Sequence, residues 1–230
     1  LISFLDADDY YLPERFRKTM DIFKADTNVD GVYEMIGFHA ETGVGAPFSA
    51  IGIVEWDLLF ENLEPIGSEV WFHLDGLTVK KSIFNKTGLF DDTLKTSEDT
   101  LQSLKFASLA KLLPGEISKP VSLSESNVDS LGHSNPDIVK KDLIMMILKL
   151  FQWAGKKNLS PGRKELVLER LIYFSSLLPY SQYYGGQKKL SLFLKVFLSD
   201  SSYLILKSSA FRRFVGNIIG YNRFLRSPRL

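Results

Sequence analysis

Apolar and polar positions follow two regimes along this chain. Up to about residue 135 the apolar runs are short and broken by turn residues, a mixture of strand-like and helix-like spacing, and from Pro136 onward they recur at helical period. Residues 1–5 read as a buried strand. Pro13 announces a helix to Lys24 with Phe16, Met20 and Phe23 on one face. The apolar stretch 29–39 offers Val32, Ile36 and Phe38 to a sheet, and Gly43, Gly45, Pro47 and Gly52 mark a loop flexible enough to serve as a lid. Residues 55–62 read as helical, 76–80 as a strand, 82–86 as a short helix and 88–92 as a turn. Ser97 is placed to cap a helix whose first turn is Glu98-Asp99-Thr100 and which continues through Leu101, Leu104 and Leu109.

Beyond the change of pattern, helices are expected over 137–154, 161–178, 187–198 and 202–219, separated by Pro and Gly breaks. The change sets the expected organisation: an α/β part over 1–135 and an α-helical part over 136–230. No run reaches the 18 to 20 or so uninterrupted apolar residues of a membrane span, because Lys149, Lys195 and Lys207 interrupt the best candidates.

Composition adds three constraints. At 230 residues and 45% hydrophobic content the chain can bury a sizeable core, and with no cysteine it has neither a disulfide framework nor a thiolate site. The opening Leu-Ile-Ser-Phe-Leu has no basic leader and runs directly into acids, so Leu1 reads as an internal residue of a longer protein. The net charge of +1 hides an asymmetry, since residues 179–230 carry 9 of the 28 Lys and Arg and only Asp200 of the 27 acids.

Candidate chemistry begins with Asp6, Asp8 and Asp9, which follow the first apolar run. Unit charges about 4 Å apart at an effective dielectric near 20 interact by roughly 4 kcal/mol, so clustered carboxylates disperse, take up protons or bind cations. A hard divalent ion such as Mg²⁺ or Mn²⁺ suits one or two Asp at a strand end. The alternative is a strand-to-helix turn whose acids offset a helix dipole. A calcium loop does not fit, because counting from Asp6 the sixth position is Tyr11 and the twelfth is Arg17.

A second constellation runs from Leu74-Asp-Gly-Leu-Thr-Val through Gly88-Leu-Phe-Asp-Asp to Ser97-Glu-Asp-Thr. With Leu5-Asp-Ala-Asp-Asp, in that order and at that separation, it resembles glycosyltransferase family 2, the inverting enzymes of GT-A fold. The resemblance covers about residues 1–135 and implies a partial GT-A mixed sheet with flanking helices, lacking the opening nucleotide-binding strand. It implies that Asp6 and Asp8 bind a nucleotide-sugar donor and a divalent Mn or Mg ion, and that Asp99 takes the proton of an acceptor hydroxyl. Glu98 would orient that site, and His133 would add a metal or diphosphate contact. Trp71, His73 and Asp75 are candidates for an acceptor pocket, with sheet-edge packing as the alternative. The resemblance further implies a carbohydrate or lipid-linked acceptor. Two departures stand out: Lys105 where the family often has Arg, and Leu101 where it often has an acid.

Residues 186–230 interleave Phe and Leu with Lys and Arg, as cationic amphipathic helices on anionic membranes do. This reading places the protein in the cytoplasm, at the inner face of a membrane. No nucleic-acid module accompanies the charge. The rival readings are a non-catalytic membrane-surface protein with a degenerate GT-A remnant, and a haloacid-dehalogenase-like phosphatase, which would want Thr where the chain has Tyr10.

Overall fold

The computed structural model describes residues 1–40, 43–44, 56–67, 70–125 and 136–177. Compactness divides the chain into one unit of residues 1–142 and another of residues 143–230. The first unit is mixed α/β, with two small mixed sheets.

The first sheet has the order β1 (Ile2–Ser3), β6 (Leu77–Val79), β3 (Gly31–Tyr33), β7 (Leu112–Pro114). The second has β2 (Tyr10–Tyr11), β8 (Ser122–Glu125), β4 (Ile36–Ala40), β5 (Gly43–Val44). In each sheet one pair is parallel, β3 with β7 and β4 with β8, and the remaining pairs are antiparallel. The stretch expected as one sheet segment over 29–39 is thus two strands in different sheets, divided at Glu34 and Met35. Backbone bonds bridge the division: Gly115 N–H donates to Tyr33 O at 2.8 Å, Met35 N–H to Glu116 O at 2.7 Å, and Val121 N–H to Met35 O at 2.9 Å.

Helix α1 (Arg17–Ala25) begins later than expected, after a turn at Pro13–Phe16 in which Glu14 takes φ +69°. Its expected apolar face is corrected too, since Phe16 and Met20 are exposed and Thr19 is the buried residue of the helix. The reason is polar. Thr19 Oγ1 donates to buried Glu34 Oε2 at 2.9 Å, so the helix seats on a hydrogen-bond network, while Phe16 packs edge-on against Tyr11 and under the Arg15 guanidinium.

Helix α2 (Leu59–Asn62) buries Leu59 and Phe60; α3 (Phe84–Thr87) follows a 3-10 turn at Lys81–Ile83. Helix α4 (Glu98–Leu109) is buried at every position from Leu101 to Ser108, which explains why its sequence shows no clean polar face. Ser97 does not cap it. It takes φ +66°, and its side chain makes no cap bond. The preceding loop is instead held by Asp142, whose Oδ2 accepts Lys95 N–H at 2.9 Å and Thr96 N–H at 3.0 Å.

The core of this unit joins Val32, Leu77, Val79 and Leu112 of the first sheet with Leu104 and Phe106 of α4, all fully buried. Phe106 meets Phe84 edge-on at 5.4 Å, and Tyr33 stacks on Phe72 at 5.6 Å. Inside it lies an ion pair. Arg15 and Glu34 are each 2% exposed and bonded through Arg15 Nη1 and Glu34 Oε2. Glu34 Oε1 accepts Glu116 N–H at 3.0 Å, and Arg15 Nε and Nη2 donate to the carbonyl of Asp75 at 3.0 and 2.9 Å.

Helix α5 (Pro136–Lys156) crosses the division between the units, and α6 (Pro161–Leu177) follows it. In the second unit Ile147, Leu150, Ala154 and Val167 are fully buried. No helix among the described residues is long and apolar enough to cross a membrane. The helices expected over 187–198 and 202–219, the basic stretch 186–230 and most of the glycine loop lie outside the described residues.

Two outcomes follow. Arg15→Met leaves the Glu34 carboxylate buried without its partner, so urea unfolding is expected to show a loss of about 3 to 5 kcal/mol; a loss under about 1 kcal/mol would contradict the pairing. Glu116 is held down to about pH 2 by hydrogen bonds from the Ser118 side chain and backbone and by Lys18 Nζ at 3.0 Å. Its contribution to stability is therefore complete above the ordinary glutamate value of 4.5 and is lost as pH falls towards 2. Urea midpoints at pH 6 and pH 2.5 are expected to differ less in Glu116→Gln than in the parent.

Candidate functional site

A cleft of about 440 Å³ opens where the end of β1, the approach to β6 and the start of α4 meet. Ser3, Phe4, Leu5 and Asp6 form one wall, His73 and Leu74 a second, and Phe90, Glu98 and Asp99 a third. Asp6 and Asp99, distant in sequence, thus line one opening together with Glu98 and His73. Phe4 and Phe90 meet edge-on at 5.7 Å between the walls.

The acidic turn divides its three carboxylates. Asp9 N–H donates to Asp6 O at 3.1 Å, which closes a turn with Ala7 and Asp8 at its exposed tip. Asp6 lines the cleft and Asp8 is not among the lining residues. Asp9 turns inward, 9% exposed, with Oδ1 accepting Glu125 N–H at 2.9 Å.

Behind the cleft stands Asp75, fully buried in a 3-10 turn at Leu74–Gly76. Three links fix it: Arg15 holds its carbonyl, its Oδ1 accepts Asp6 N–H at 3.3 Å, and its own N–H donates to His73 Nδ1 at 3.3 Å. His73 Nδ1 also stands 3.4 Å from Asp75 Oδ2. The two contacts belong to two forms of Nδ1: without a proton it accepts from the backbone, and with one, in the Nδ1–H tautomer or the charged ring, it donates to the carboxylate. Gly76 lets this turn approach β3 closely, since a Cβ there would lie 2.2 Å from Glu34 O.

The electrostatics follow from this crowding. Burial, then Asp75, Asp99 and Asp8, hold Asp6 above the ordinary carboxylate value, with His73 opposing. Glu98 is raised by burial and by Asp99, Asp6 and Asp142. Burial and the neighbouring Asp75 carboxyl push Asp9 up to about 7. Asp75 is lowered: burial opposes its charge, but His73 and Asp9 outweigh it through hydrogen bonds. For His73 burial disfavours the charged ring, and Asp75, Asp6 and Asp99 overcome it, raising its value.

Trp71 is half-buried and meets the His73 ring edge-on at 6.0 Å, but it is not among the residues lining the cleft. His133 lies outside the described residues. Asp9 was not singled out as a site residue by sequence; the only signal was its membership of the Asp6–Asp8–Asp9 cluster. Asp6 and Asp8 bring oxygen donors alone, the ligand type that a hard divalent ion takes. No family model and no curated protein matches the chain.

Gly76→Ala is expected to push the Asp75 turn away from β3 and to lower stability by about 1 to 3 kcal/mol, read by urea unfolding. An unchanged midpoint would contradict the close approach.

Proposed function

We propose that the chain carries part of the catalytic site of a metal-dependent, inverting glycosyltransferase of the family 2 kind, moving a sugar from a nucleotide-diphospho-sugar to an acceptor hydroxyl. The observation that carries the reading is the convergence of Asp6 and Asp99, with Glu98 and His73, on one cleft. The coarse α/β class agrees with it, and the order of the acidic motifs supports the GT-A assignment.

Each residue has a task in this reading. Asp6 and Asp8 would hold the divalent ion, which supplies Lewis-acid neutralisation of the charge that builds on the departing diphosphate. Asp99 accepts the proton of the acceptor hydroxyl as that oxygen bonds to the anomeric carbon and the bond from that carbon to the diphosphate oxygen breaks. One displacement inverts the centre. Asp99 sits in the first turn of α4, and its Oδ1 accepts Thr100 N–H at 2.6 Å, which fixes the carboxylate. Glu98 and His73 flank the acceptor oxygen. His73, kept from swinging by Asp75, offers a donor to a sugar hydroxyl.

Asp99→Asn in the intact protein is expected to lower nucleoside-diphosphate release from the cognate donor and acceptor by about 10²- to 10⁴-fold at unchanged melting temperature. Asp6→Asn is expected to raise the requirement for Mn²⁺ or Mg²⁺. Parent-like rates in both variants would refute the proposal.

A further inference from the structure

Among the described residues five buried side-chain oxygens of this unit stand without a hydrogen bond, and two of them, Oδ2 of Asp9 and Oδ2 of Asp75, belong to neighbouring carboxyls. Their residues are 9% and 0% exposed, and each spends its other oxygen on a backbone N–H, Asp9 on Glu125 and Asp75 on Asp6. An unsatisfied buried carboxylate oxygen costs roughly 1 to 3 kcal/mol or more, so the two oxygens call for an occupant between them: a proton that bonds Asp9 to Asp75 or, displacing it, a cation. Asp75 Oδ2 points at the imidazole, 3.4 Å from Nδ1, and one ligand atom from each of Asp9, His73 and Asp75 lies within 4.8 Å of the others.

We propose that Asp9, His73 and Asp75 form a divalent-cation site of their own, distinct from the donor-side ion assigned to Asp6 and Asp8, and selective for an imidazole-binding metal such as Mn²⁺, Co²⁺ or Zn²⁺ over Mg²⁺ or Ca²⁺. The donor set decides the class: two carboxylates and a ring nitrogen suit first-row transition metals, whereas Mg²⁺ and Ca²⁺ prefer oxygen alone. The dimensions suit it too. Donors about 2.1 Å from an ion stand about 3 to 4 Å apart, so small side-chain rotations close the three residues on it. Access runs past His73, which is part of the cleft wall and whose side chain is 16% exposed. Neighbours already orient two of the ligands, Glu125 N–H for Asp9 and Asp6 N–H for Asp75, and Arg15 anchors the Asp75 backbone. The bound ion would tie the acidic turn to the His73–Asp75 segment. This inference does not rest on sugar transfer.

Mn²⁺ titrated into the intact protein and followed by electron paramagnetic resonance, with pulsed detection of ¹⁴N coupling, tests it. The expected result is a bound Mn²⁺ with ¹⁴N coupling in the parent and in Asp99→Asn. Loss of that coupling is expected in His73→Gln, and binding weaker by about tenfold or more in Asp75→Asn. Bound Mn²⁺ without nitrogen coupling in the parent would overturn the site, since Asp6 and Asp8 supply oxygen only. So would coupling that survives His73→Gln, or no binding of Mn²⁺ at all. Because the readout is spectroscopic, a failure here leaves the transfer reading to its own test, and loss of transfer in Asp99→Asn does not bear on the metal.

Discussion

A guanidinium and a carboxylate taken out of water together hold this structure in register. Breaking such a pair by removing one member costs far more than the pair contributes, because the remaining charge has nowhere to go. Arg15 and Glu34 escape that cost by saturating one another's surroundings: Thr19 and the Glu116 amide complete the carboxylate, and the Asp75 carbonyl takes two of the guanidinium donors. The pair therefore joins α1, the end of β3, the segment after β7 and the turn before β6. The last of these is the one that matters chemically, since Asp75 presents its carbonyl to the core and its carboxyl to His73, Asp6 and Asp9.

That the two acidic motifs meet was implied by the family resemblance, and Asp6 and Asp99 do line one cleft, whereas Asp8, read as the metal ligand, is not among its lining residues. Helices α5 and α6 were legible from period alone. Which carboxylate of the first cluster faces inward was not. Asp8 and Asp9 are chemically identical neighbours, and what separates them is a turn closed by a backbone bond to Asp6 O and an amide from Glu125, contacts that no local pattern encodes.

Other misses have equally local causes. Strands β2, β7 and β8 were not expected, because each is two to four residues long and takes its identity from its partner strand. The face of α1 was misjudged because the pattern weighs Phe and Met as core, whereas the helix is seated by one threonine hydroxyl on a buried acid. Ser97 reads as a cap by residue type, but its left-handed backbone turns the chain into α4 instead.

The division of the chain at Glu34 and Met35, between β3 and β4, is matched on the neighbouring segment between β7 and β8, and the bonds of Gly115, Met35 and Val121 cross the gap without interruption. The two small sheets are in that respect a single folded ribbon with a crease. A crease laced this way couples the two layers, since opening either one withdraws backbone hydrogen-bond partners from the other.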